Sequence, residues 1–333
     1  MLLASCGKTP HGDTEDVNIE KGFAVYFIDV GQADSALVVC DGESMLIDGG
    51  NVADSDLIFT FLRERGIERL DYIVATHAHE DHVGGLAGAL NYSSVGVAFS
   101  PVTEYDSRAF GSFVKYLDEQ GVAITVPNPG DTFMLGEAEV VIVGPVMGYT
   151  DTNNTSIVLR IAYGDTSFLF TGDAERESEQ GILEAGYDIS ATVLKVGHHG
   201  SDTSTTYPFL REIMPEYAVI SCGANNSYGH PDENLLSRLR DADVTLFRTD
   251  MQGTVICNSD GQTVSFTVER NANAETNLTK PAADEPYYIG NINTHKFHRP
   301  SCSGLPAEKN RVILDTRDMA INEGYDPCGT CKP

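Results

Sequence analysis

The pattern of apolar and polar positions divides residues 22–269 into many short elements. Runs that alternate every second residue, rich in β-branched and aromatic residues and bounded by Gly, Asn or Asp, predict strands. Apolar residues spaced three and four apart, preceded by Ser or Asp and followed by Gly, predict helices. The predicted strands span residues 23–30, 35–39, 45–47, 70–76, 123–126, 132–135, 138–143, 156–163, 166–171, 192–196, 217–222, 245–248, 254–258 and 263–268. The predicted helices span residues 54–66, 81–90, 107–120, 175–185, 207–214 and 233–241.

These elements form two β-rich halves with helices among the strands, so periodicity alone predicts an α/β or α+β fold. Residues 270–285 are rich in Asn, Ala, Thr, Asp and Pro and almost lack large apolar side chains, as is typical of a linker. We therefore predict a polar start at 1–21, a large domain at 22–269, this linker, and a small module at 286–333.

The net charge of the chain restricts the substrates that it can bind without cations. The chain has 333 residues and an ordinary globular composition, but its formal net charge is -27. Nearly all of the excess lies in residues 22–269, whereas residues 286–333 are close to neutral. A body this acidic repels a polyanion at long range, so a nucleic-acid substrate would require bound cations. The acidity equally suits a soluble, secreted surface. No stretch reaches the ~18 apolar residues of a transmembrane helix.

Four side chains with metal-binding chemistry fall within six residues directly after the apolar run 70–76. His77 and His79 are two apart and share one face of an extended chain, so they could bind one ion together. Asp81 and His82 follow where the chain turns, and they could face a second ion. Imidazole and carboxylate are ligands of catalytic zinc, manganese or iron. A histidine-rich surface loop without function is the weaker alternative.

Six further stretches accompany this motif, each at or near the end of an apolar run. They are FIDVGQADS at 27–35, LIDGG at 46–50, NNTS at 153–156, FTGD at 170–173, VGHHGS at 196–201 and YGHP at 228–231. Together with H-x-H-x-D-H they resemble the metallo-β-lactamase superfamily, and within it the ComEC-like branch associated with competence DNA uptake. The resemblance covers residues 22–269 and implies an αββα sandwich with a two-metal hydrolytic site.

The resemblance assigns further ligands by position. Asp173 matches the aspartate that bridges the two ions, although a helix N-cap would fit its local sequence as well. Asp48 matches the aspartate that orients a metal-bound imidazole. His198 and His230 match the remaining imidazole ligands. Because adjacent side chains of an extended chain point to opposite sides, we expect His198 to bind metal and His199 to support it or transfer a proton.

The chain departs from the wider superfamily between residues 82 and 198, where many members have another ligand histidine and this sequence has none. Asn153 and Asn154 lie there instead, and an amide binds transition ions poorly but donates well to anionic oxygens. An ordinary turn is an equally good interpretation of the two asparagines. The first ion would then be loosely held, which favours manganese over zinc.

The expected reaction is hydrolysis of a phosphodiester by water activated between two divalent ions, zinc or manganese. Asn154 and Ser201 would hold substrate oxygens, and His199 or Asp81 would protonate the leaving oxygen. The resemblance thus implies a metal-dependent hydrolase, and we expect a nuclease or phosphodiesterase acting outside the membrane. The alternatives are hydrolysis of another ester, a thioester or a lactam, or a non-catalytic protein that binds DNA or metal.

The C-terminal residues 286–333 contain a second candidate metal site. His298 and Cys302 are followed by Cys328 and Cys331, and this pattern resembles the small Ada-type zinc-binding module. The four side chains would form a closed tetrahedral zinc site, which a module of fewer than fifty residues needs in order to fold. A disulfide between two of the three cysteines is the alternative. We expect the module to assist in binding DNA or another partner.

Leu3-Ala4-Ser5-Cys6 resembles a bacterial lipobox, in which the cysteine becomes a lipidated N-terminus. Too few residues precede it for a signal peptide, so either translation starts upstream or Cys6 is incidental. With a lipid anchor at Cys6, the protein would be a lipoprotein on the outer side of the membrane, at the cell surface. Its oligomeric state is not predicted.

Overall fold

Two β-sheets pack face to face in the structure, a computed structural model that describes residues 22–146, 148–279, 285–331 and 333. Their strands are β1 (Phe23–Phe27), β2 (Ala36–Cys40), β3 (Glu43–Ile47), β4 (Arg69–Val74), β5 (Ser94–Phe99), β6 (Ile124–Thr125), β7 (Thr132–Leu135), β8 (Ala138–Gly144), β9 (Val158–Tyr163), β10 (Thr166–Phe170), β11 (Val193–Lys195), β12 (Tyr217–Ile220), β13 (Thr245–Arg248), β14 (Val255–Ser259) and β15 (Val264–Val268). The helices of this part are α1 (Ser55–Glu64), α2 (Glu80–Val83), α3 (Leu86–Tyr92), α4 (Arg108–Gln120), α5 (Arg176–Ala185), α6 (Tyr207–Ile213), α7 (Glu233–Asp241) and α8 (Thr249–Gln252).

The first sheet has the strand order β15-β14-β1-β2-β3-β4-β5-β6, and the second has the order β13-β12-β11-β10-β9-β8-β7. Strands from β3 to β6 run parallel, as do those from β10 to β13. Parallel strands end at the same edge of a sheet, and ligand sites of such sheets lie beyond these carboxyl ends. The loops that follow β3, β4, β10 and β11 carry the predicted metal motifs.

Three apolar layers hold the sandwich together. A central layer lies between the sheets, with Phe23 and Val25 on one side and Ile161 and Phe168 on the other. A second layer lies under α1, α3 and α4 on the outer face of the first sheet, and a third lies under α5, α6 and α7 on the second. Central strands such as β1 and β2 therefore bury both faces, which accounts for their near-continuous apolar sequences. The predicted αββα sandwich is confirmed.

The predicted helix at 81–90 is two helices in the structure. Gly84 and Gly85 separate α2 from α3 because they pack directly against the loop after β3. A Cβ atom at Gly85 would lie 1.9 Å from the carbonyl oxygen of Gly49. This close approach fixes the metal motif against the 48–52 loop. Strand β5 was not predicted, since its sequence contains Gly96 and carries exposed positions.

The C-terminal residues form a separate four-stranded sheet, here called the tail module (residues 286–333). Its elements are β16 (Tyr288–Asn291), β17 (Lys296–His298), β18 (Arg311–Leu314), α9 (Arg317–Asn322) and β19 (Asp326–Pro327), with the strand order β18-β16-β17-β19. Its buried core has five apolar side chains, including Tyr288, Phe297 and Leu314. A core this small needs a further cross-link to hold a fold.

The predicted linker lies against the large domain over its described part. Thr276 Oγ1 donates to the carbonyl of Leu246 at 2.7 Å, and Asn277 Nδ2 donates to that of Leu236 at 2.7 Å. The predicted lipobox and Cys6 fall outside the described residues. Within the described part, no helix has the length and apolarity needed to cross a membrane. The four segment boundaries remain predictions.

Candidate metal centre

Asp173 lies at the centre of a group of histidines beyond the carboxyl ends of the strands. Its carboxylate oxygens are 3.3 Å from His82 Nε2, 3.6 Å from His199 Nε2, 3.7 Å from His198 Nε2 and 3.9 Å from His77 Nε2. These residues come from three separate loops, following β4, β10 and β11. The fold therefore brings the motifs of the two sheets into one pocket.

The first histidines after β4 form one side of this pocket. His77 is fully buried, and its Nε2 lies 3.0 Å from His79 Nδ1. His77, His82 and Asp173 have ligand atoms that all lie within 4.8 Å of one another. The imidazoles of His77 and His82 thus converge with the Asp173 carboxylate. His79 lies beside His77 but is absent from the sets of converging ligand atoms found in the described part of the chain.

Asp81, His82 and His199 form the other side. Asp81 Oδ2 lies 3.2 Å from His199 Nε2, and the ligand atoms of all three residues lie within 4.8 Å of one another. Asp173 faces this group as well as the first. The pocket therefore has two neighbouring sets of ligand atoms with one carboxylate between them.

Asp48 and Thr76 support His82 from behind. Asp48 Oδ2 lies 2.8 Å from His82 Nδ1, which leaves the other ring nitrogen, Nε2, facing Asp173. The Asp48 carboxylate also accepts hydrogen bonds from the Thr76 amide at 2.8 Å and the Thr76 hydroxyl at 2.7 Å. A carboxylate on one ring nitrogen fixes the orientation of an imidazole and raises its basicity toward a metal.

A buried ion pair supports His199 in the same way, and sequence analysis missed it. Asp34 Oδ1 lies 3.4 Å from His199 Nδ1, which also donates to the carbonyl of Ser221 at 3.2 Å. Asp34 Oδ2 accepts from Lys195 Nζ at 2.8 Å, and both side chains are almost fully buried. A lysine inside the apolar run at 193–196 was the signal, because a buried ammonium needs a carboxylate partner.

The backbone at 198–199 differs from the extended chain assumed in the sequence analysis. His198 and His199 both have positive φ angles, +50° and +52°, inside a short 3₁₀ turn. The opposite-face rule therefore does not apply to this pair. The turn buries His199 among the ligand atoms and leaves His198 at the rim, where its side chain is 22% exposed.

Glu175 is the second residue that sequence analysis missed. Its carboxylate lies 3.1 Å from His198 Nδ1 and accepts a hydrogen bond from Thr203 Oγ1 at 3.0 Å. Asn153 Nδ2 donates to it at 3.2 Å. Position 175 begins the α5 region, and no local sequence feature distinguishes it from its acidic neighbours.

The structure gives Asn154 a contact other than the predicted one. Its side-chain oxygen accepts hydrogen bonds from the backbone amides of Glu175 at 3.1 Å and Ser178 at 3.3 Å, at the start of α5. That oxygen therefore holds the loop that carries Glu175. Contact between Asn154 and a substrate remains a prediction. Ser201, by contrast, lies near the rim, where its hydroxyl is 2.9 Å from that of Thr203.

His230 also lies at the rim. Its ring centroid is 5.8 Å from that of His198, and its Nδ1 has no hydrogen-bond partner among the described residues. Burial, together with the neighbouring His198 and His199, lowers its pKa. His230 is absent from the sets of converging ligand atoms found in the described part of the chain.

Electrostatics favours the metal-binding protonation state at His77 and Asp173, whereas it keeps His199 protonated. Burial holds the pKa of His77 well below its usual range, which keeps the imidazole neutral. Burial opposes ionisation of Asp173, but His82 and His199 outweigh it and hold the Asp173 pKa well below its usual range. The carboxylates of Asp173 and Asp34 outweigh burial at His199 and raise its pKa to about 10. A divalent cation would replace that proton.

Several buried ligand atoms have no hydrogen-bond partner within the described residues. They are His82 Nε2, His199 Nε2, Asp173 Oδ1 and Asp34 Oδ1. Buried polar atoms are nearly always paired, so a group of unpaired nitrogens and carboxylate oxygens facing one space needs another partner. Imidazole and carboxylate together match the preferences of zinc and manganese. The pocket fits divalent ions.

The tail module has a second candidate site. His298, Cys302, Cys328 and Cys331 have ligand atoms within 4.8 Å of one another, and the three cysteines are free thiols. His298 Nδ1 is buried and lacks a hydrogen-bond partner in the described part of the chain. One imidazole and three thiolates form a closed tetrahedral ligand set for structural zinc.

Comparison with known proteins gives two family matches. Residues 28–224 match the metallo-beta-lactamase superfamily, and residues 273–333 match the metal binding domain of Ada. The chain is 32% identical to ComE operon protein 3 of Bacillus subtilis (strain 168), over 69% of this chain and 32% of that protein. It is 32% identical to Competence protein ComA of Neisseria gonorrhoeae, over 70% of this chain and 32% of that protein.

A shorter match is to Ribonuclease Z of Bacillus cereus (strain G9842), which is 30% identical over 32% of this chain and 31% of that protein. The chain spans about a third of the length of the curated relatives it matches.

Proposed function

The chain belongs to the metallo-beta-lactamase superfamily, and on this premise we propose that it is a metal-dependent phosphodiesterase that cleaves nucleic acid. The family match over residues 28–224 makes it a member of a fold family of metal-dependent hydrolases. The predicted resemblance, including that of the tail module to Ada, is thereby confirmed. The observation that carries the proposal is the position of Asp173 within 3.9 Å of four imidazoles.

His77, His79 and Asp173 would hold one ion, and Asp81, His82 and His199 would hold the other, with Asp173 shared. When bound, two divalent ions lower the pKa of a water molecule and neutralise charge on the phosphate. The first set has fewer protein ligands, which favours exchangeable manganese there, although zinc suits both sets. Asp48 and Asp34 keep the imidazoles of His82 and His199 in the orientation that binding requires.

His198 and Glu175 are suited to transfer a proton to the leaving oxygen. His198 Nδ1 faces the Glu175 carboxylate at 3.1 Å, and this leaves Nε2 at the rim toward Asp173. A carboxylate that orients an imidazole in this way supports general acid catalysis. His199, to which sequence analysis gave this role, is better placed to bind metal, while Asp81 remains an alternative acid. Ser201, beside Thr203, would contact a substrate oxygen.

Two kinds of relative support nucleic acid as the substrate. Two are competence-related proteins, and a shorter match is a ribonuclease. A ribonuclease cleaves a nucleic-acid phosphodiester, which is the bond proposed for this chain. A position at the cell surface, on the outer side of the membrane with Cys6 as a lipid anchor, is part of the proposal and rests on the lipobox-like sequence. In the tail module, one zinc ion bound by His298 and the three cysteines would have a structural role.

The test replaces Asp173 by Ala in the full chain. We expect the metal content to fall and manganese-dependent digestion of single- and double-stranded DNA to drop by roughly a thousandfold or more. Metal is measured by elemental analysis, and digestion by release of labelled fragments. Asp165→Ala, at an exposed position outside the centre, is the matched control. Full metal content with intact DNA digestion in Asp173→Ala would refute the proposal, and turnover of a thioester or lactam alone would redirect it.

A further inference from the structure

A cleft with many cationic side chains lies between the sandwich and the tail module. It encloses about 360 Å³. Three carboxylates line it, those of Asp202, Glu233 and Asp326. Six cationic side chains line it, Arg176, Arg238 and Arg240 from the sandwich and Lys296, Arg299 and Arg317 from the tail module. The whole chain has 22 Lys and Arg residues and a net charge of -27. More than a quarter of its cations therefore converge on one cleft of a strongly acidic protein, and five of the six lie within 3.7 Å of a carboxylate.

Some of these cations hold the walls in place. Arg238 is 6% exposed; its Nη1 donates to Asp202 Oδ1 at 2.6 Å and its Nη2 donates to the carbonyl of Ser204 at 2.9 Å. Arg317, from the tail module, binds the Asp241 carboxylate at the end of α7. Arg317 therefore joins the tail module to the sandwich, and the cleft is part of a fixed junction.

Other cations remain available. Arg176 is more than half exposed, and its nearest carboxylate, Asp326, is 3.7 Å away. Lys296 is exposed and has no ion-pair partner among the described residues. Lys296 lies opposite Asp326 in the backbone register of β17 and β19, so Arg176 and Lys296 are both neighbours of Asp326. Arg176 and Lys296 bring one positive charge from each wall to the same part of the cleft.

The cleft begins at the rim of the metal centre. Arg176 directly follows Glu175, whose carboxylate contacts His198. Asp202, which binds Arg238, lies between Ser201 and Thr203, and Thr203 also contacts Glu175. Two residues that line the cleft, Arg176 and Asp202, are therefore neighbours in sequence of residues at the rim of the metal centre.

We propose that this cleft binds the phosphate backbone of a nucleic-acid strand whose scissile bond lies at the metal centre. The proposal rests on the proposed function. Guanidinium groups match phosphate geometry, and a cationic groove along the backbone binds without base specificity. Tyr207, the aromatic residue in the lining, donates its hydroxyl to Asp241 at 2.9 Å, so phosphate contacts rather than base stacking dominate. Arg176 and Lys296 would supply local positive charge against the long-range repulsion by the acidic body.

The experiment measures binding without cleavage. A labelled phosphorothioate oligonucleotide is titrated with the metal-loaded full chain by fluorescence anisotropy, between about 0.05 and 1 M salt. The double variant Arg176→Gln, Lys296→Gln is compared with Arg63→Gln, Lys309→Gln. The control pair removes the same charges from exposed positions of the sandwich and the tail module, outside the cleft. Affinity of the cleft variant should fall roughly 25-fold at about 0.1 M salt, and its salt slope by about 1.4, with little change for the control.

Three results would overturn the proposal. Equal affinity and slope for the two double variants would show that the cleft does not contact the strand. Displacement of the oligonucleotide by inorganic phosphate at the same concentration of phosphate groups would assign the cleft to free phosphate. Equal affinity for poly-glutamate of matched charge would indicate an acidic polypeptide as the partner. Because binding is measured without turnover, strand binding with no DNA digestion would refute the proposed function alone.

Discussion

At the scale of single residues, the metal centre depends on how closely backbone segments approach one another. Asp173 follows Gly172, which has a φ angle of +51°. A Cβ atom at Gly172 would lie 2.9 Å from the Ser156 hydroxyl and from Thr76. Glycine is therefore required for the end of β10 to lie against the loop after β4. This contact places the Asp173 carboxylate beside His82 and His77, which follow β4 of the other sheet.

The first prediction distinguishes the two adjacent histidines. His199→Ala should lose about one equivalent of bound divalent metal and reduce DNA hydrolysis by roughly a thousandfold, because His199 faces both Asp81 and Asp173. His198→Ala should keep the metal and lose roughly a hundredfold in turnover, because its role would be proton transfer. Elemental analysis and initial rates of DNA cleavage are the measurements. Loss of metal in His198→Ala, with full metal in His199→Ala, would reverse the assignment.

The sequence was sufficient to predict the types of ligand but not every partner. H-x-H-x-D-H and Asp173 were predicted as ligands because imidazoles and carboxylates that follow buried strands indicate metal binding. The choice between His198 and His199 depends on left-handed backbone angles that the sequence does not reveal. Asp34 and Glu175 were missed because their roles depend on side chains distant in the sequence, namely Lys195 and His198.

At the scale of elements, the strands were predicted well and the breaks between helices less well. Bounds for β7 agree at both ends with the predicted strand, and β8 differs by one residue. The predicted helix at 107–120 is α4, and Ser107 is its N-cap, since the Ser107 hydroxyl accepts a hydrogen bond from the amide of Phe110 at 3.1 Å. The split between α2 and α3 could not be predicted, because it results from packing of Gly85 against a distant loop.

The second prediction concerns the ion pair that joins the loop after β1 to the end of β11. Lys195→Met should lower the free energy of unfolding by about 3–5 kcal/mol at neutral pH, because it leaves the buried Asp34 carboxylate unpaired. Urea unfolding of the two proteins at a series of pH values is the measurement. The stability lost by the variant should be greatest at neutral pH.

The pH dependence follows from the direction of the Asp34 pKa shift. Burial alone would raise this pKa, but Lys195 and His199 outweigh burial and hold it below the usual value. The stabilisation is therefore present above the unfolded-state pKa of about 3.9 and is lost as the pH falls through the folded-state pKa. The difference between wild type and Lys195→Met should narrow toward acidic pH. Lys115→Met, at an exposed pair with Glu119, should cost less than about 0.5 kcal/mol, and a similar cost for Lys195→Met would contradict the argument.

At the scale of the whole molecule, opposite charges are unevenly distributed. The acidic excess belongs to the domain that contains the metal centre, which would carry positive charge when loaded, and the cleft with six cationic side chains lies between this domain and the tail module. The net charge predicted that the chain repels polyanions. It did not predict that cationic side chains cluster in one cleft, because Arg176 and Lys296 are 120 residues apart in the sequence. Such a cluster of charges from distant parts of the sequence depends on the contact between the sandwich and the tail module.

The last prediction concerns the stability of the tail module. Cys328→Ala should abolish its zinc binding and lower amide-exchange protection in β16 to β19 by roughly a hundredfold, while β1 to β15 remain protected. The reason is that five buried apolar side chains form its core, so the metal supplies much of the folding free energy. Hydrogen exchange of the full chain, followed by mass spectrometry, measures both parts in one experiment. Ser303→Ala, an exposed neighbour of Cys302, is the control and should keep zinc and protection. If β16 to β19 stay protected after zinc is lost, contacts with the sandwich such as Arg317 with Asp241 would hold the module instead, and the metal would have to serve another purpose.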